Sequence, residues 1–196
     1  MAWARNGTPD TLSSAGDTIT ISDQTSTKFN VFLVHTLPDS GQIANELNFG
    51  YTSVDTGNNY SSRFASNGIE ATRTSQNDIT LQQADYGNAL GVIYALNIAT
   101  EEKLIISHQV ETNSTGAGSA PSRTESTGKW ANTSNQFDNV RITNWATGDY
   151  GSGSNLTALT GDETETATLQ DGTIFEESDT NKAYIWNATT KTWTQL

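Results

Sequence analysis

The stretch KFNVFLVHTL, residues 28 to 37, is apolar on both parities, and so is its counterpart ALGVIYALNIA, residues 89 to 99. Successive side chains of a strand point to opposite faces, so a run that is apolar at odd and even positions alike suits the middle of a sheet rather than its edge. Both runs are expected to be central strands of a sheet.

Around them the chain from Asp17 to Leu159 keeps a period close to two. TITIS (18–22) alternates. Between Ile43 and Tyr51, Ile43, Leu47, Phe49 and Tyr51 share one parity while Glu46 and Asn48 take the other, which predicts a sheet with one wet face. EKLIISHQVE (102–111) puts Leu104, Ile106, His108 and Val110 on one face. In RFASNGIEATR (63–73), Asn67-Gly68 predicts a type I′ hairpin, because both turn positions need φ > 0. NSTGAGSAPS (113–122) reads as a surface loop and QFDNVRITNW (136–145) as a return to strand. Apolar spacing at three and four is nowhere sustained and β-branched Thr is frequent, so no helix is expected. The pattern predicts roughly ten strands before residue 160, folded as an all-β, two-sheet antiparallel β-sandwich, jelly-roll-like, over residues 1–160.

Residues 161–170 read as an acidic linker, because Asp162, Glu163 and Glu165 crowd together with no large apolar residue before Leu169. The remainder, DGTIFEESDTNKAYIWNATTKTWTQL (171–196), holds three β-branched or aromatic runs separated by turn residues. It predicts a β-meander of about three strands. So small a sheet is marginal in water, so this element is expected to attach to something. Tyr184 and Trp186 share parity, and Trp193 is expected beside them on the next strand.

Bulk properties narrow the function. A 196-residue chain with a hydrophobic fraction of 34% and a mean hydropathy of -0.53 suits one good-sized β domain plus an appendage. The formal charge of -12 and pI near 4.3 argue against nucleic acid or an anionic membrane as partner, since both reward clustered Lys and Arg. No apolar run reaches the length of a membrane span, and MAWARNGTPDTLSSAG lacks the apolar core of a secretion signal, so synthesis in a cytoplasm and a soluble product are expected. Cysteine is absent, which removes disulfides and thiolate metal sites.

No catalytic set emerges, and a non-enzyme is expected. His35 and His108 sit inside apolar strands, read as packed or edge-of-core residues, and no Gly-x-Ser-x-Gly elbow exists. The pairs Glu101-Glu102 and Glu176-Glu177 fall in polar turns where both carboxylates are solvated. No cofactor is expected. Calcium stays a candidate because hard oxygen ligands can come from loops such as VDTGNNY (54–60) or ATGDYGSGS (146–154), although neither has EF-hand spacing and no ligands are assigned. The aromatic residues Trp130, Trp145, Tyr150, Tyr184, Trp186 and Trp193 carry the remaining possibilities. They can anchor strand ends in the core, line a subunit interface, or stack on the sugar rings of a cell-surface glycan.

GKWANTSNQFDNVRITNWATGDYGSGSNLTALTGD (128–162) resembles a segment of β-sandwich virion proteins of tailed phages and of related viruses of marine bacteria and archaea. Trp130, Asn132, Thr133, Phe137, Val140, Ile142, Gly148, Tyr150, Gly153, Ser154, Leu156, Leu159 and Gly161 carry the likeness. Gly172, Phe175, Asp179, Tyr184, Trp186 and Trp193 likewise resemble a small meander appended to such proteins. One departure is a strand after Gly153-Ser154 that is a residue longer than the pattern. The resemblance implies a virion structural protein (capsid decoration, fibre or tail component) partnered by other virion proteins and assembled as a homo-oligomer. A receptor-binding module or a subunit of an extracellular surface structure is the alternative.

Overall fold

The computed structural model describes residues 3–112, 114–161, 171–177, 182–190 and 192–196. Every regular element in it is a strand. The strands are β1 (Trp3–Arg5), β2 (Asp10–Thr11), β3 (Thr18–Ile21), β4 (Phe29–Thr36), β5 (Pro38–Ser40), β6 (Ile43–Tyr51), β7 (Ser53–Val54), β8 (Tyr60–Ser66), β9 (Ile69–Gln76) and β10 (Ile79–Asp85). They continue with β11 (Ala89–Leu96), β12 (Lys103–Glu111), β13 (Ser122–Trp130), β14 (Asn139–Thr143), β15 (Asp149–Tyr150), β16 (Asn155–Gly161), β17 (Ile174–Glu177), β18 (Lys182–Asn187) and β19 (Thr192–Gln195). The excess over roughly ten strands before residue 160 comes from short pieces such as β2, β7 and β15, which a periodicity of two cannot register.

Residues 3–161 form one compact unit, a sandwich of two antiparallel sheets. The large sheet has nine strands, in the order β1-β16-β4-β11-β12-β13-β8-β9 with β2 beside β16; the small one runs β10-β6-β14-β3 with β7 on β6. β4 and β11 are the central strands that their two-sided apolar pattern predicts. β11, β12 and β13 follow one another as consecutive antiparallel hairpins within the large sheet. Asn67 and Gly68 take φ of 50° and 87° in the β8–β9 hairpin, as a type I′ turn requires. The strand after Gly153-Ser154 pairs β4 in one unbroken register, Asn155 opposite His35 to Gly161 opposite Phe29.

Aromatic rings fill the core at one end. Phe49 stacks on Phe137 with centroids 4.4 Å apart, and Trp130 lies over Tyr60. The Trp130 indole N–H donates to Asp55 Oδ2 at 2.7 Å. The Tyr60 hydroxyl accepts from the Phe49 N–H at 3.1 Å and faces the carbonyls of Phe49 and Asp55, both at 2.9 Å. Lys103 is fully buried beside this cluster. Its ammonium donates to the carbonyls of Ala99, Glu101 and Asn132 at 3.2, 2.7 and 2.7 Å, which uses all three donors.

The wet face expected for β6 does not exist. Glu46 and Asn48 are buried, because Arg73 stands over Glu46 at 3.7 Å and Asn48 donates to the Asn77 carbonyl at 2.6 Å. Burial and the neighbouring Asp78, opposed by Arg73, push the Glu46 carboxyl up to about 7. Glu111, also buried, is pushed up to about 7 by desolvation and then by Asp85.

The linker expected at 161–170 lies outside the described residues apart from Gly161, which ends β16. The C-terminal residues belong to a second unit, in which β17, β18 and β19 form the expected meander. The Asp171 carboxylate accepts from the Ala188 N–H at 2.9 Å, and Asn187 Oδ1 closes the following turn on the N–H groups of Thr189 and Thr190.

These buried acids set a pH dependence. A free Glu ionises near 4.5 and folded Glu46 near 7, so between those values the folded chain holds a proton that the unfolded chain has lost. For a carboxyl raised in this way, stability falls as pH rises, by about 1.4 kcal/mol per pH unit for each group. The melting temperature is therefore expected to be higher at pH 5 than at pH 8, and Glu111→Gln should flatten the slope. A melting temperature that climbs from pH 5 to pH 8 would contradict this account.

Candidate functional site

Neither parity of β12 is free of a conflict. Its inward side chains are Lys103, Ile105, Ser107, Gln109 and Glu111, and its outward ones Leu104, Ile106, His108 and Val110. The face that the sequence marks as apolar is thus the solvent face of the large sheet. β11 shows the same inversion of size: Ala89, Gly91, Ile93 and Ala95 face in, and Leu90, Val92, Tyr94 and Leu96 face out.

The inner surface requires small residues there. Ile79 of β10 lies so close to β13 that a Cβ on Gly128 would stand 2.7 Å from its Cγ2, and a Cβ on Gly91 would stand 2.7 Å from Gln109 Nε2. At Gly91 and Gly128 the inner surface therefore has no room for a side chain.

Register aligns the outward residues into rows. Leu33, Val92 and His108 are neighbours across β4, β11 and β12, as are Val31, Tyr94 and Ile106, and Phe29, Leu96 and Leu104. Leu90, Tyr94, Leu104 and Ile106 are each more than half exposed. Toward β13 and β8 the same face turns polar, with Arg63, Arg123, Glu125, Thr127 and Lys129 outward. Lys129 pairs with Glu102 at 2.7 Å and Arg123 with Glu125 at 3.7 Å.

The histidines are therefore misplaced by the sequence reading. His35 and His108 are not packed or at the core edge but exposed on this outer face, since their parity is the outward one. His108 Nδ1 lies 4.0 Å from Glu125 Oε1.

The six aromatic candidates divide into three groups. Trp130 and Tyr150 are buried anchors with no ring face open to a sugar or a neighbouring subunit. Tyr150 donates from its hydroxyl toward the Ala44 carbonyl at 2.6 Å and Asn45 Oδ1 at 2.8 Å. Burial raises its phenol well above the usual range, and Glu46 adds to the shift. Trp145, after β14, is half exposed. Tyr184, Trp186 and Trp193 share one face of the meander, as their parity predicts, and Phe175 joins them. Trp186 and Trp193 sit directly opposite each other with centroids 5.3 Å apart, and Phe175 packs against Tyr184 and Trp193 at 6.4 and 6.1 Å. Phe175 and Trp193 remain substantially exposed.

Two aromatic or apolar surfaces are therefore available for binding, one on each unit. The outer-face residues Leu33, Leu90, Tyr94 and Ile106 were missed as site candidates, although the runs at 28–37 and 89–99 are apolar on both parities. Among the described residues no cluster of three or more His, Asp or Glu side chains has the arrangement of a metal site, and neither loop proposed for calcium is assigned one.

Many positions that carry the virion-protein resemblance are core positions: Phe137, Val140, Ile142, Leu156 and Trp130 are all buried. No family model, curated protein or solved structure compared with the chain matches it.

Trp130→Ala is expected to cost about 3–5 kcal/mol of stability, with the Asp55 carboxylate losing its indole donor. Tyr150→Phe should cost about 1–3 kcal/mol by leaving buried acceptors unpaired. Trp145→Ala should stay within about 0.5 kcal/mol. Urea titrations of the three variants test the division; a Trp145→Ala as damaging as Trp130→Ala would refute it.

Proposed function

We propose that the protein is a non-enzymatic structural protein of a virus particle, carried on the particle surface as a capsid decoration, fibre or tail component and working through subunit contacts. The observation that carries this reading is the apolar outer face of β4, β11 and β12. An enzyme or a transport protein concentrates its apolar surface in a concave pocket, whereas here it is spread in rows over three strands of an open sheet face, a form that suits contact between proteins. The likeness of residues 128–162 to phage virion proteins supplies the viral setting. The acidic meander, with its aromatic face, serves as an attachment element.

The test is proteomic and structural. Mass spectrometry of particles purified from the lysed host should contain this chain in stoichiometric amount, and its absence from them would end the reading. Deletion of residues 171–196 should reduce incorporation into particles while the sandwich melts almost unchanged. Loss of neither incorporation nor stability would remove the attachment role.

A second reading is supported by the meander alone. Phe175, Tyr184, Trp186 and Trp193 form a partly exposed aromatic platform on one face, and aromatic rings of this kind stack on pyranose faces of a cell-surface glycan. Titration of Trp fluorescence with host-surface oligosaccharides should then show saturation that Trp193→Ala abolishes. A flat response across the glycans would reject this reading.

A further inference from the structure

We propose that two copies of this chain pair through the outer face of the large sheet, laying β4, β11 and β12 of one copy on the same three strands of the other in a closed twofold dimer. The proposal deepens the structural-protein reading and rests on it for its biological setting.

Three observations carry it. First, the sheet is divided along its width. On β13 the outward positions are Arg123, Glu125, Thr127 and Lys129 and on β8 Ser61, Arg63 and Ala65, while on β11 and β12 they are Leu, Val, Tyr and Ile together with His108. Ile93 and Ile105 enter the core, but Leu90, Tyr94, Leu104, Ile106 and Val110 point outward, so a single sandwich leaves much of the apolar content of these two strands uncovered.

Second, the charges identify the occupant. The chain carries -12 overall, so two copies repel through most of their surface. The polar flank of this face instead carries Arg63, Arg123 and Lys129 against Glu70, Glu102 and Glu125, three of each sign. It is a near-neutral face on an acidic protein, where a second copy meets both signs rather than a field of carboxylates. A strongly acidic partner would find half of this rim repulsive, and so would a basic one.

Third, the size fits. With strands about 4.8 Å apart and about 3.3 Å per residue, three strands of eight residues present roughly 370 Å² in plan, and a strand of rim on each side brings this to roughly 600 Å². Allowing for corrugation, two such faces bury on the order of 1,200–1,600 Å², the range of a standard stable interface. Sheets stack face to face at about 10 Å with strands near 30° apart, which leaves room for interdigitating Leu, Ile and Tyr side chains. The face also has relief: a depression of about 400 Å³ lies beside Tyr94 and Leu104, walled by Trp3 and Phe29.

Sedimentation of the full chain over a wide concentration range tests the proposal. The wild type should have the mass of a dimer. Ile106→Glu, on the β12 side of the patch opposite Tyr94, should weaken pairing by about 30-fold or more, the loss expected when an interface hot spot is removed. Its far-UV circular dichroism and melting temperature as a monomer should stay unchanged. Ile69→Glu, more exposed still but at the β8–β9 turn, should leave pairing intact, and Leu104→Glu serves as a second patch variant should Ile106→Glu fail to fold. A monomer at every concentration, a dimer indifferent to the patch variants, or a mass that grows without limit would each overturn the closed pair. So would a monomer that uses this face only for a different particle protein. A chain found in particles yet monomeric in solution would overturn the pairing and leave the structural role. A dimer absent from particles would overturn the role and leave the pairing.

Discussion

The side chain of Asn45 holds the two sheets in register across the core. Its amide lies within bonding distance of Thr36 Oγ1 at 3.2 Å, Gln82 Oε1 at 2.6 Å and Gln109 Oε1 at 3.1 Å, and its carbonyl accepts from Tyr150 at 2.8 Å. Gln82 in turn donates to Glu111. Thr36, Gln109 and Glu111 belong to the large sheet, Asn45 and Gln82 to the small one. In a dry interior a polar group left without a partner costs more than a satisfied bond contributes, so this chain of amides favours the parity of β12 that turns Gln109 and Glu111 inward.

Hydrophobic transfer alone favours the opposite choice. A one-residue slip of β12 would bring Leu104, Ile106 and Val110 into the core and turn Lys103, Gln109 and Glu111 to water. Each apolar side chain so moved is worth about 1.5–3 kcal/mol. Shape and polar pairing oppose the slip. β10 approaches β13 too closely at Gly128 for larger inner side chains, the Asn45 network would be broken, and the three carbonyls around Lys103 would lose their donor. The register that results stores apolar area on the outside of the sheet, available to association rather than spent on folding. That area is flanked by Arg63, Arg123 and Lys129 as well as by Glu102 and Glu125, so charges of both signs border it.

What could be read in the sequence follows from this competition. The all-β class, the β8–β9 hairpin at Asn67-Gly68 and the central placement of β4 and β11 were legible, because period and turn chemistry are local properties. The three meander strands were legible for the same reason, and so was the shared face of Tyr184, Trp186 and Trp193. The direction of β12 was not. Alternation shows that Leu104, Ile106, His108 and Val110 share a face but not which face, and the deciding groups, Asn45, Gln82 and Ile79, lie far away in sequence. The wet face assigned to Glu46 and Asn48 failed likewise, since Arg73 and Asn77 cover them from another hairpin. Trp130 and Tyr150 could not be sorted from Trp145 by composition. What distinguishes them is a hydrogen-bond partner, Asp55 or Asn45, that becomes adjacent only in the folded chain.

The meander poses the same problem on a smaller scale. Three short strands have two faces and no interior, and here one face carries Phe175, Tyr184, Trp186 and Trp193 while Ile174 and Ile185 are paired on the other. Cross-strand aromatic pairs contribute about 0.5–1.5 kcal/mol each beyond their burial, which leaves so small a sheet near the limit of independent stability. Whatever covers one of its faces stabilises the folded form by mass action, because the unfolded segment offers that partner no comparable surface. For an element of this size the binding of a cover and folding are one equilibrium, and the exposure of Phe175 and Trp193 leaves aromatic surface on which such a cover would act.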